Sequence, residues 1–267
     1  LDMSPLSVGE NAIFRRFSFT AGDVILGDRG FCSYGNIAWL CQQNVDSVFR
    51  LHQSRRVDFR RGQRLGQGDH LVIWKRPRYC TPKFPGDIFE SLPESLVLRE
   101  VRFKIEVPGF RTKEVTIVTT LLDPEAYPAE ELARLYRMRW DCEVDLRHLK
   151  TTMQMDVLRG LSPDIVRKEV FAHLLAYNLI RTMLWQAAEE HDEDPLRLSV
   201  KGAIQHLLNF APLIVTGTQA AADRLLDALL KAMATEIVPN RPNRFEPRLV
   251  KRRPKSSRWL QKPRHVM

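Results

Sequence analysis

The run LYRMRWDCEVDLRHLK, from Leu135 to Lys150, gathers the side chains of this chain best placed to meet a charged partner in fixed geometry. At about 100° per residue, with Arg139 as zero, Tyr136 falls near +60°, Glu143 near +40° and Lys150 near +20°, so all four share one face of a helix. That face extends roughly 21 Å, the length of about six base pairs of duplex. One carboxylate between two cations can address a phosphate-bearing partner. It can equally be a solvated face with Glu143 paired to Arg139 or Arg147 at i, i+4, a contact worth a few tenths of a kcal/mol. Asp141 and Asp145 point about 160° and 200° away from Glu143 and cannot share a ligand with it. His148 lies about 180° from Arg139 and reads as a structural histidine. Trp140 either helps to position Arg139 or packs inward from the helix flank.

A second acid stands at a place where chemistry collects. Ser7 and Gly9 open a short helix, Glu10 to Phe17, and Ala21-Gly22 turns the chain into the apolar run Val24-Ile25-Leu26, read as a buried strand. The run ends at Gly27-Asp28-Arg29-Gly30-Phe31, then Tyr34 to Gln43 has helical spacing and Asp46 to Leu51 is strand-like again. Strand, acid, helix and strand is α/β organisation, with Asp28 at a strand's C-terminal end. An Asp two residues before Gly is also ordinary turn chemistry.

The elements that must carry the two acids divide the chain into residues 1–51, a β-rich stretch 52–123, a helical part 124–190, a helical extension 191–240 and a tail 241–267. In the β-rich stretch, strands are expected over His70 to Trp74, Ser95 to Val107 and Lys113 to Leu122, the last two joined by a hairpin near Pro108-Gly109. Its arginines 55, 56, 60, 61 and 64 form either a DNA-contacting cluster or a solvated loop. Trp39 and Trp74 read as packing residues. Helices are expected from about Pro128 through Met153, Pro163 through Glu189 and Ala220 to Ile237.

Composition narrows the class. The 267 residues are 44% hydrophobic, enough for a real core, and the formal charge is +9. From Arg241 to Met267 there are ten Lys or Arg and one acid, Glu246, so the other residues hold 31 basic and 31 acidic side chains. The whole excess sits in the tail, a polyanion-binding element or a solvated terminus. Cys32, Cys41, Cys80 and Cys142 lack C-x-x-C pairing and zinc-site spacing, as expected of reduced thiols. No apolar run reaches the length of a membrane span. A cytoplasmic protein is expected, and an opening that is not methionine reads as the middle of a domain.

Tyr136, Arg139, Glu143 and Lys150, spaced Tyr-x2-Arg-x3-Glu-x6-Lys, match without a gap the YREK motif of the insertion-sequence family four transposases, which this chain resembles. Asp28-Arg29-Gly30-Phe31 resembles that family's Asp-x-Gly-Phe/Tyr motif, and Tyr177-Asn178-Leu179-Ile180-Arg181 and the basic tail extend the likeness over nearly the whole chain. The resemblance implies an α/β, RNase-H-like catalytic core interrupted by the β-rich stretch. It implies a nucleoid-associated DDE transposase that cleaves and rejoins double-stranded DNA at transposon ends and target, as a homodimer in the DNA complex, without membrane contact. Asp28 and Glu143 would be catalytic metal ligands for Mg²⁺, with Mn²⁺ as a substitute, because hard cations take oxygen ligands and two ions can activate both the attacking and the leaving oxygen. Tyr136, Arg139, Trp140 and Lys150 would contact DNA. The family's first aspartate, on an earlier strand, has no counterpart here, so an N-terminally truncated and inactive chain is expected. Two rivals remain, a nuclease of the same fold that cuts without joining and a non-enzymatic DNA-binding remnant.

Overall fold

The computed structural model describes residues 4, 8–79, 84, 86–104 and 114–239. The basic tail and the hairpin turn at Pro108-Gly109 lie outside the described residues, as does Cys80.

Six strands form one mixed sheet: β1 (Val24–Gly27), β2 (Asp46–Arg50), β3 (Gln63–Gly66), β4 (Asp69–Lys75), β5 (Ser95–Lys104) and β6 (Glu114–Thr119). Their order is β1-β2-β6-β5-β4-β3, with β1 and β2 parallel and every other pair antiparallel. The β-rich stretch therefore extends the same sheet, because β6 returns to pair with β2. Helices α1 (Glu10–Phe14), α2 (Tyr34–Cys41) and α3 (Gly86–Ser91) surround it, and α4 (Ala129–Arg147), α5 (Pro163–Glu190), α6 (Val200–Thr216) and α7 (Gln219–Thr235) follow.

Pleat alternation sends successive side chains to opposite faces, and two cores result. On one face Phe49, Leu51, Leu98 and Val118 pack with Ile37, Ala38 and Leu40 of α2. On the other, Val48, Val101, Val115 and Ile117 receive Leu132 and Tyr136 of α4, with Leu26 beside them. Burying each such large apolar side chain stabilises the layer by about 1.5–3 kcal/mol. Gly27 is required between the layers: a Cβ there would lie 2.6 Å from the Phe49 ring. A third core joins α5, α6 and α7 through Leu184, Ala203, Leu229 and Met233. It also takes in Leu149, from just beyond α4.

Local sequence accounts for the helix starts. Ser33, Ser162 and Ser199 cap α2, α5 and α6 by accepting the N–H of Asn36, Ile165 and Gly202. Glu130 and Glu131 lie in the first turn of α4, where carboxylates complement the helix dipole.

One expectation is corrected. The helix over Pro128 through Met153 does not continue as an α-helix, because His148–Thr152 forms a π turn after Arg147. Met153 N–H bonds to the His148 carbonyl at 2.9 Å and Met155 N–H to that of Leu149 at 3.1 Å. The wider turn keeps Leu149 buried while Lys150 stays exposed, and it takes Lys150 off the angular phase that a continuous α-helix assigns.

Candidate functional site

Asp28 follows β1 immediately. Since Leu26 faces α4, alternation directs the residue two further on to the same side. Gly27 pairs in register with Phe49, so Asp28 and Arg50 end two neighbouring parallel strands side by side. Arg50 shares the α4 side with Val48 by the same alternation.

The Asp28 carboxylate accepts the Gly30 N–H at 2.7 Å. A Cβ at Gly30 would sit 3.0 Å from Asp28 Oδ1, which explains why glycine suits that place. The turn chemistry is thus real, and it leaves Asp28 exposed at the strand end.

On α4, Arg139 and Glu143 do share a face: Arg139 Nη1 and Glu143 Oε1 are 2.7 Å apart. The Arg139 guanidinium lies over the Tyr136 ring, 5.5 Å from its centroid. Tyr136 is buried, with its ring 6.4 Å from that of Phe103. Its ring is therefore not presented for stacking on a base, and its hydroxyl is buried with it. Among the described residues Tyr136 Oη and Arg139 Nε are buried polar atoms without a hydrogen-bond partner.

Charges tie these elements into one neighbourhood. Burial pushes the Tyr136 phenol up against the opposing influence of Arg139 and Arg50, while Asp28 adds to the rise. Burial also pushes Arg50 down, and Arg29 and Arg139 add to the effect, with Tyr136 and Asp28 working against it. Burial disfavours the Arg139 charge, yet the Glu143 ion pair and the Tyr136 phenol hold the guanidinium more firmly protonated than usual. Asp28, Arg50, Tyr136, Arg139 and Glu143 are thus linked through shared partners across the C-terminal ends of β1 and β2.

Lys150 is not linked to them: among the described residues no hydrogen bond or ion pair joins it to Asp28, Tyr136, Arg139 or Glu143. Trp140 is half exposed, at 50%, so it is not a core residue. Asp145 accepts the Tyr177 hydroxyl at 2.7 Å, consistent with its direction away from Glu143 and fastening α4 to α5. His148 is half-buried near Thr152, and burial followed by Arg147 lowers its pKa.

Sequence reasoning missed Arg50. A terminal arginine after the apolar Val48-Phe49 reads as solvent-facing, and only the parallel register places it beside Asp28. Of the arginine cluster, Arg60 and Arg61 pair with Asp58 at 2.8 and 3.4 Å. Arg55 lies over Trp74 at 3.6 Å, and with Arg56 it lines a cleft that also receives Arg29, Arg50 and Arg102.

Asp28 and Glu143 are hard oxygen donors of the kind divalent cations use. Among the described residues no group of three or more His, Cys, Asp or Glu is arranged to hold a metal, so these carboxylates form at most a partial ligand set.

Asp28 at the end of β1 and the Tyr136, Arg139 and Glu143 face of α4 both fall within a stretch of sequence that matches one family. The transposase DDE domain family matches residues 7–179, and the chain belongs to that family. Within it, the chain is similar to the transposase InsG for insertion sequence element IS4 of Escherichia coli (strain K12), 28% identical over 266 residues, covering 92% of this chain and 54% of that protein. It is also similar to the transposase for insertion sequence element IS421 of Escherichia coli, 29% identical over 192 residues, covering 62% of this chain and 52% of that protein. The chain thus spans about half the length of these curated relatives. Among the described residues no helix is long and apolar enough to cross a membrane.

Proposed function

We propose that this chain is part of the catalytic portion of a DDE transposase that cleaves and joins DNA strands during cut-and-paste movement of an insertion sequence. The observation that supports the reading is that Tyr136 and Arg139 of α4, the latter paired with Glu143, share charge interactions with Arg50 and Asp28, which end the neighbouring strands β2 and β1. The core is RNase-H-like in this reading. Asp28 and Glu143 are the metal ligands, for Mg²⁺ with Mn²⁺ as substitute. When bound, such ions activate an oxygen nucleophile and stabilise the leaving oxygen. The remaining chemistry belongs to the side chains. Arg139 neutralises and orients a phosphate through its planar fork, Tyr136 donates its hydroxyl to a phosphate oxygen, and Lys150 supplies a point charge farther along the duplex. Trp140 covers the flank of Arg139.

Two carboxylates are fewer than a two-ion site uses. Among the described strands β1 is an edge, paired only with β2, so it can accept a further strand that carries a third acid. In this reading the chain by itself does not transpose, and the active protein is a homodimer that bridges two DNA ends.

A chain extended upstream to the relatives' full length provides the test. It is expected to cleave insertion-sequence ends in Mg²⁺, whereas Asp28→Asn and Glu143→Gln each abolish cleavage with DNA binding retained. Cleavage surviving in either variant overturns the metal-ligand assignment. Cutting without strand joining by the extended chain selects the nuclease reading, and no metal-dependent activity at all selects the binding remnant.

A further inference from the structure

Beside the acids lies a cleft of about 500 Å³ between the segment Leu51–Val57 and the adjoining parts of β5 and β6. Arg29, Arg50, Arg55, Arg56 and Arg102 line it, against one acid among the described residues, Glu114. Three of these arginines are held in place. Arg29 donates to Gln53 Oε1 at 2.9 Å, Arg55 lies over Trp74, and Arg102 donates to Thr116 Oγ1 at 3.3 Å with its guanidinium 4.7 Å from the centre of the Phe59 ring. Just beyond the covering segment, the chain is held to the sheet by His70, whose Nδ1 lies 2.7 Å from the Arg61 carbonyl while its Nε2 meets buried Glu100 at 3.0 Å.

Arg50 is half-buried, and among the described residues it forms no ion pair, although Asp28 on the next strand partly offsets its charge. A desolvated cation facing other cations is a cost that a bound anion removes. Among the described residues no Phe, Tyr or Trp lines the cleft, so they offer phosphates a clamp and bases no stacking platform.

We infer that this cleft holds the sugar-phosphate backbone of one DNA strand, read by charge alone, on its way to the carboxylates at Asp28 and Glu143. The inference rests on the proposal that the chain handles DNA, but not on the metal assignment. Glu114 sets its strength by opposing the bound phosphates.

The test uses the whole 267-residue chain in EDTA, so that failure of the metal reading does not affect it. Fluorescence anisotropy follows binding of a labelled mixed-sequence single strand and of an abasic strand of equal length over a salt series. Arg29→Gln with Arg56→Gln is expected to weaken binding on the order of five-fold per arginine near 0.1 M salt and to reduce the double-logarithmic slope by about 0.7 per lost contact. The loss is expected to be equal for both strands. Glu114→Gln is expected to tighten binding roughly three-fold, by removing a repulsion of about 1 kcal/mol or less. That gain of function cannot arise from misfolding. Arg60→Gln with Arg61→Gln, outside the cleft, is the charge-matched control. A slope unchanged by the cleft variant, a loss equal to the control's, a loss confined to the base-bearing strand, or a Glu114→Gln protein that binds no tighter would each overturn the inference.

Discussion

Two arginine–carboxylate pairs in this molecule have nearly equal lengths and opposite surroundings. Arg99 Nη2 meets Asp69 Oδ2 at 2.6 Å, and Arg139 Nη1 meets Glu143 Oε1 at 2.7 Å. The first pair is sealed, with side chains 1% and 8% exposed. Arg99 also donates from Nε to Asp69 Oδ1 at 2.9 Å and from Nη1 to the carbonyls of Asp123 and Tyr127, tying the approach to α4 onto the sheet. The second pair is more open, with side chains 22% and 44% exposed. A closed network has no capacity left for a ligand, so its role is architectural. An open one leaves part of its charge facing solvent, where an incoming anion can compete for the guanidinium.

The largest effect that can break this comparison lies in the sealed pair. Arg99→Ala should cost about 3–5 kcal/mol of unfolding free energy, because it leaves the Asp69 carboxylate buried and unpaired. Chemical denaturation monitored by circular dichroism measures it, and a loss under about 1 kcal/mol would erase the distinction. At the open pair, Arg139→Ala should cost less than about 1 kcal/mol of stability, since exposed pairs contribute little, while weakening DNA binding severalfold. A double-mutant cycle with Glu143→Gln should return a coupling of about 0.3–0.5 kcal/mol, and a coupling of several kcal/mol would make this pair structural too. The smallest effect sharpens the contrast. Tyr136→Phe should leave the melting temperature unchanged or slightly raised, because it removes a buried hydroxyl that has no partner. A clear drop in melting temperature would mean that the hydroxyl is satisfied in the folded protein.

Much of the framework was legible because it is local. The strand at Val24, though only partly buried at the sheet edge, the helical spacing from Tyr34 and the helix of α4 each announce themselves within one element. The i, i+4 relation of Arg139 and Glu143 is likewise local, and the ion pair obeys it. What stayed hidden depends on register across long separations. Nothing in Gln63–Gly66 alternates clearly enough to declare β3, and the return of β6 to β2 joins residues some seventy positions apart, as at Ser47 N–H and Thr120 Oγ1. Arg50 and Arg99 both look like polar strand residues until neighbouring strands place Asp28 beside one and Asp69 against the other. The π turn was invisible for another reason. Its residues are acceptable in an α-helix, and only the burial of Leu149 in the third core calls for the wider winding.

Helix α4 is a beam fixed at both ends. Leu132 and Tyr136 anchor one end against the sheet, and the Asp145–Tyr177 bond with Leu149 anchors the other in the helical bundle. Glu143 rides on the span between these supports. Damage confined to α6 or α7, far along the chain from either acid, therefore unseats the glutamate by releasing one end of its mount. The station of the acid thus depends on two separate cores, one on the sheet and one in the bundle.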